Sequence, residues 1–341
     1  MQFTKKQNTL FIILLLAMVF LFLVNISLGS VPIPIKEIIK GIVSQEMSKE
    51  SWKIILWDFR FPKAITASLV GIGLSISGLL MQTLFRNPLA GPYVLGLSSG
   101  ASLGVAFIIL GTGFLPTFIS SFFLSNYGIV IASSFGSFLV LMAVLLVSQK
   151  LKDTMAILIV GLMFGSFTSA IVSVLSYFTT AEKLQKFTFW SMGSISNLSW
   201  NEISLLSFFI IIGIGISFMV IKPLNSLLLG EKYAQSIGIN YNKMRFLIII
   251  ATSILAGSIT AFAGPIAFIG LAVPHIAKLL FQTSNHLVLF WSTLLVGAIV
   301  MLFCDTIAQV PGNDITLPIN AITSVIGAPV VIWLLIRKKR F

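Results

Sequence analysis

The sequence predicts an all-α, polytopic membrane protein with about ten transmembrane helices, and three observations carry that prediction. Hydrophobic residues fill 57% of the 341 positions and charged residues only 9%, against about 25% charged in an ordinary soluble domain. So apolar a chain could not clothe its surface in water. The apolar residues also fall into runs of roughly 20, the length that crosses about 30 Å of hydrocarbon as a helix. Finally, the net charge of +12 is spread unevenly between alternate loops. Helices follow from the solvent, because lipid offers no hydrogen bonds to an unpaired backbone group.

The first run, 9–28, follows Lys5 and Lys6. It is long for a signal peptide and no A-x-A site follows, so it reads as an uncleaved first span. A long polar segment, 29–61, separates it from a span at 62–82 that Gly71, Gly73 and Gly78 interrupt. Spans at 92–111, 127–148 and 155–178 come next. Gly100 and Gly104, and Gly161 and Gly165, form small-xxx-small patterns that let helices approach closely. After the span at 203–221 comes a second polar segment, 222–244. The remaining spans are 245–263, 266–281 (broken by glycine and proline), 287–305 and 318–336. The whole chain, 1–341, reads as one transmembrane domain with no separate soluble domain.

Ten spans place both termini on one side. That side collects fourteen of the 22 basic residues and only two acids, Asp153 and Glu231, whereas the other holds eight of each. Basic loops stay in the cytoplasm, so both termini are predicted cytoplasmic in a multi-pass membrane protein. The positive charge therefore reports topology in contact with membrane lipid, and nucleic acid is not an expected partner.

Chemistry is sparse. A lone cysteine, Cys304, excludes an internal disulfide framework, and His275 and His286 stand in no metal-ligand spacing. No metal, cofactor or catalytic role is expected, and an intramembrane enzyme lacks a constellation of residues to act with. There is no G-x-x-x-x-G-K-[ST] loop, so ATP and its magnesium would be held by another subunit. Ion-coupled carriers keep ionisable groups in mid-membrane; here Asp305 falls at an outer helix end and Asp153 at an inner helix start. An ion-coupled secondary transporter is thus the alternative to a subunit driven from outside the polypeptide.

A driven subunit needs a docking element. The coupling segment lies within about 222–244, where Leu229, Gly230, Glu231, Ala234 and Gly238 fit one. Gly230 can break the chain before a short helix, and Glu231 suits the positive end of its dipole. Ala234 permits close approach, and Gly238 is a left-handed stop. From the residues alone an ordinary amphipathic surface loop fits equally well.

The ordered set Arg60-Phe61-Pro62-Lys63, Gly78 to Gln82, Asn87-Pro88-Leu89-Ala90, Leu95-Gly96 with Ser99-Gly100-Ala101, Trp190 to Ser194, Leu229-Gly230-Glu231, Gly264 to Leu271, Val273-Pro274-His275, Asp305, Leu317-Pro318 and Ile326 to Pro329 resembles the FecCD-type permeases. These are membrane subunits of ABC importers for iron-siderophores, haem and vitamin B12. The resemblance implies the type II ABC importer permease fold and a second permease subunit; a single permease domain of this length points to a homodimer, with a paired paralogue as the alternative. It also implies two ATP-binding cassette subunits below, and a periplasmic or lipid-anchored substrate-binding protein above. The cargo would be a metal chelate moved by alternating access. By the same resemblance residues 227–238 are the coupling helices, and Asn87, Pro88, Leu89, Asp153, Thr154 and Met155 border a cytoplasmic gate. Asp153 or Thr154 can equally be plain helix caps. Arg60 and Lys63 match outer positions that engage a binding protein, with interfacial anchoring as the simpler reading. Where family members often carry an arginine after Asp305, this chain has Gln309, which cannot form a salt bridge.

Overall fold

The computed structural model describes residues 4–44, 47–111, 126–150, 154–196, 198–310 and 315–337. Among them there are helices and no strands. In chain order they are α1 (Lys5–Ser27), α2 (Ile35–Val43), α3 (Glu50–Ile54), a π-helical segment (Ile55–Arg60), α4 (Phe61–Leu84), a 3-10 turn (Pro92–Leu95), α5 (Leu97–Ile109), α6 (Asn126–Lys150), α7 (Thr154–Tyr177) and α8 (Ala181–Ser191). Then come α9 (Trp200–Met219), α10 (Ile221–Leu227), α11 (Glu231–Ser236), α12 (Tyr241–Ala263), α13 (Ile269–Phe281), α14 (His286–Ala308) and α15 (Ile319–Arg337).

Seven of these stretches are long and apolar enough to cross a membrane, and α5, α13 and α15 are shorter apolar helices. Together they coincide with the ten predicted spans. The differences lie between them. The segment 29–61, expected as a polar loop, carries α2, α3 and the π segment, and α3 runs on through it into α4 as one stretch from Glu50 to Leu84. Apolar Ile54, Ile55, Leu56 and Trp57 allow this extension. The eighth predicted span begins only at Ile269, because Gly264 (φ +72°) and Phe268 (φ +67°) hold the chain out of the helical region before it.

The sequence predicts one domain; the contacts group the described residues into two compact units. The first comprises Met1–Ile76, Ser194–Phe208 and Ala267–Phe341, the second Ser77–Gly193 and Phe209–Ile266. In the first, α1 and α13 pack on α14, which also meets α15. A Cβ at Gly71 would collide with the Gly297 backbone, so α4 and α14 touch backbone to backbone there. In the second, α5 packs on α6 and α7, and α6 on α12. A Cβ at Gly104 would run into the Ala132 carbonyl, and one at Gly100 would lie 2.6 Å from the Gly136 carbonyl. The first small-xxx-small pattern is thus a helix-packing seam. Gly161 of the second meets the Val94 carbonyl in the same way, seating α7 on the 3-10 turn.

Burial separates the spans by role. In the 35-residue stretch ending in α4, 78% of the most apolar window is buried, but in α7 only 17%. An apolar helix left that bare needs lipid or a second subunit to cover it.

Candidate functional site

Two places gather the residues singled out in the sequence. The first lies in the second unit, at the end of α4. That helix closes with the Arg86 N–H donating to the Thr83 carbonyl (3.3 Å) and the Asn87 N–H to the Gln82 carbonyl (3.2 Å). This is the paired ending usually built on a left-handed glycine; here Arg86 occupies that position with φ +46°. The Asn87 side chain then accepts from the Leu89 N–H at 2.9 Å, an Asx turn that stiffens the chain beside Pro88. Leu89 is exposed.

The Arg86 guanidinium reaches out of this turn and donates to the Leu227 carbonyl at 3.3 Å. Leu227 is the last residue of α10, so the cation caps a helix C-terminus, where carbonyls lack intrahelical partners. Two segments separated by about 140 residues in sequence, the turn at 87–89 and the segment at 227–238, are thereby joined. Sequence reading missed Arg86 as a functional group, counting it only as an inner charge. Its one signal is the place it takes after a helix end, where glycine would be expected.

The 227–238 segment folds as the sequence proposed. Gly230 precedes α11 with φ +117°, open to glycine and strained for other residues. Glu231 begins the helix. Gly238 (φ +87°) closes it: its N–H donates to the Gln235 carbonyl (3.0 Å) and the Ile239 N–H to the Ala234 carbonyl (3.1 Å). These two bonds form a Schellman ending. Ala234 is fully buried, whereas Leu228, Leu229, Tyr233 and Ile237 are exposed. The Ala234 methyl is turned into the protein, while Tyr233 on α11 and Leu228, Leu229 and Ile237 beside it are exposed.

Of the other residues expected at the gate, Thr154 and Met155 open α7, and Met155 is exposed. Asp153 lies outside the described residues.

The second place is in the first unit, where Arg60 and Lys63 were expected as basic groups offered to a partner. In the structure both side chains engage groups of the chain itself. Arg60 donates to the carbonyls of Ile26 (3.0 Å), Ser27 (2.9 Å) and Val31, and so caps the C-terminus of α1. A Cβ at Gly29 would lie 2.8 Å from the guanidinium, which explains a glycine there. Lys63 Nζ pairs with Asp305 Oδ1 at 3.1 Å, with exposures of 13% and 2%. The other carboxylate oxygen accepts from Asn25 Nδ2 (2.9 Å) and from Gln309 Nε2 (3.0 Å). Gln309 therefore serves the buried acid. Asp305 sits in the last turn of α14, the wrong end of a helix dipole for an anion. Neutralisation by Lys63 and the two amides is what lets it be buried. Cys304, beside it, is buried as a free thiol.

A model of the FecCD transport family matches residues 15–337. The chain belongs to the FecCD transport family. Among relatives, this FecCD-family permease is 34% identical over 288 residues to the vitamin B12 import system permease protein BtuC of Klebsiella pneumoniae, covering 84% of each chain. It is 35% identical over 289 residues to BtuC of Salmonella typhi, covering 84% of this chain and 85% of the other. Among solved structures, it is similar to an inward-facing transporter classed as metal-chelate type ABC, with TM-score 0.84, 29% identity, and coverage of 97% of this chain and 99% of that one. PsaBC from Streptococcus pneumoniae shares the fold at TM-score 0.55 and 16% identity, over 88% and 95% of the two chains. An ABC importer permease is a different class of transporter from the ion-coupled alternative.

Proposed function

We propose that this FecCD-family permease carries a metal chelate of the iron(III)-siderophore, haem or cobalamin class into the cytoplasm. It works as a homodimer by alternating access. ATP and magnesium are held by two cassette ATPases docked on α11, and a periplasmic or lipid-anchored binding protein delivers the cargo from the other side of the inner membrane. Both termini of the permease are cytoplasmic in this reading.

The observation that carries it is the build of residues 227–238. A short helix is set between two positive-φ glycines and anchored by buried Ala234; Tyr233 on it and Leu228, Leu229 and Ile237 on its flanks are exposed. Exposed apolar side chains grouped on a short rigid element suit a protein partner. Arg86 gives that element a route inward, through the turn at Asn87, Pro88 and Leu89, which is where we place the gate, with Asp153, Thr154 and Met155 as its other border. The cargo class rests on what the relatives' names carry, vitamin B12 in one case and a metal chelate in the other.

The test uses Leu229→Asp and Tyr233→Asp in the intact chain. Both side chains are exposed, so membrane insertion should persist while co-purification of the ATPase and ATP-driven uptake are lost. Uptake of radiolabelled cobalamin or ferric siderophore at wild-type rates in both variants would remove α11 from the mechanism. Comparing the two cargoes in proteoliposomes with the cognate binding protein decides between them.

A further inference from the structure

We infer that α2 is an interfacial helix that lies on the membrane surface and beds an apolar strip into anionic phospholipid. Seven of its nine residues fall into three strips by helical spacing. Ile38 and Gly41 face the protein: Ile38 is buried, and a Cβ at Gly41 would lie 2.8 Å from Met47 Sδ and 3.0 Å from Leu56 Cδ2. Lys36 and Lys40, four residues apart, are exposed. Between these strips run Ile35, Ile39 and Val43, also four apart, with exposures of 66%, 55% and 81%. A helix on a water-facing loop has no reason to carry three bare branched side chains in line.

The location of α2 says what covers them. Seven residues, 28–34, connect it to the end of the spanning helix α1, a reach of at most about 25 Å. The residues beneath it mark the same level. Leu56, against Gly41, adjoins Trp57, which stacks on Phe61 at 4.8 Å and whose carbonyl accepts from Trp200 Nε1 at 3.1 Å. Nearby, Lys49 stands 4.8 Å over the ring of Trp52. Tryptophans gather where hydrocarbon meets headgroups.

The charges agree. Glu37, the one acid on α2, is turned to Ser48, whose hydroxyl and N–H donate to it at 2.7 and 2.8 Å. That leaves Lys36 and Lys40 as the charges beside the apolar strip. With Ile35, Ile39 and Val43 in the acyl boundary, the two lysines reach up to the phosphates.

The experiment places single cysteines at positions 35, 36, 39, 40 and 43 of the full chain, labels each with a nitroxide, and reconstitutes the chain in nanodiscs of phosphatidylcholine and phosphatidylglycerol. All five sites are exposed, and buried native Cys304 is left in place. Collision with oxygen should dominate at 35, 39 and 43, and collision with a water-soluble nickel chelate at 36 and 40. In the label at Ile39→Cys, depth should decrease when Lys36→Gln and Lys40→Gln are added. Nickel access equal at all five positions would overturn the proposal. So would shielding of 35, 39 and 43 that appears only when a binding protein is added, since the strip would then be a protein-docking face.

Discussion

Arg60 and Arg86 perform the same chemical act in very different settings. Each projects a guanidinium onto the carbonyl end of a helix distant in sequence, Arg60 onto α1 and Arg86 onto α10. Arg60 is buried, serves three carbonyls and lies close in sequence to the Lys63–Asp305 ion pair; Arg86 is exposed and, among the described residues, makes one side-chain bond, of 3.3 Å. The contrast separates an anchor from a latch. A charge withdrawn from water has no solvent to fall back on, so its contacts are costly to break. A solvated charge exchanges its partner for water at little expense, as an opening and closing joint in the proposed transport cycle would require.

The contrast can be broken from the anchor side first. Asp305→Ala leaves Lys63, only 13% exposed, without its counter-ion and strips the amides of Asn25 and Gln309 of their acceptor. A loss of about 3–5 kcal/mol is expected, read as a large fall in thermal stability of the detergent-purified chain. Adding Lys63→Met should recover much of it; no recovery would mean that the acid acts through something other than this pair. Arg60→Met strands three carbonyls and should cost about 1.5–3 kcal/mol, while Arg60→Lys, which keeps the charge but loses the fork, falls in between.

On the latch side the effects on stability shrink and those on function grow. Gly238→Ala meets no neighbour within 4 Å, so its whole effect is the left-handed backbone, roughly 1–2 kcal/mol confined to the end of α11. Faster hydrogen exchange at Gly238 and Ile239, with unchanged global unfolding, would show it. Arg86→Ala should alter stability by no more than about 0.5 kcal/mol and still raise the ATP hydrolysed per substrate imported. Tight coupling in that variant would reduce the link to Leu227 to a decorative bond.

The ten spans were legible because lipid demands long apolar runs, and α1, α4, α12 and α14 answer that demand in their sequence. Gly230, Ala234 and Gly238 were legible because α11 is local: positive φ, a small contact residue and a helix stop are all encoded within a dozen positions. The direction in which Arg60 and Lys63 point was not. Sequence places them at a polar boundary, where a cation can face outward to a partner or inward to an acid. The choice depended on Asp305 and the α1 carbonyls, more than 200 residues downstream and about 30 upstream. Helices α2 and α8 were lost inside loops because nine and eleven mixed residues give too short a period to stand out.

By itself, then, the sequence determined where the chain is helical in lipid, which loops carry the positive charge and that the backbone turns left-handed at Gly238. Each of these is a response of neighbouring residues to solvent or to steric limits on φ and ψ. The tertiary structure alone decided that Asp305 is neutralised by Lys63, and that Arg86 joins the turn at 87–89 to the segment carrying α11. It also decided that α2 turns one apolar strip away from the protein. Those outcomes depend on which helix ends are brought within about 3 Å of one another, a condition met only after distant segments have packed.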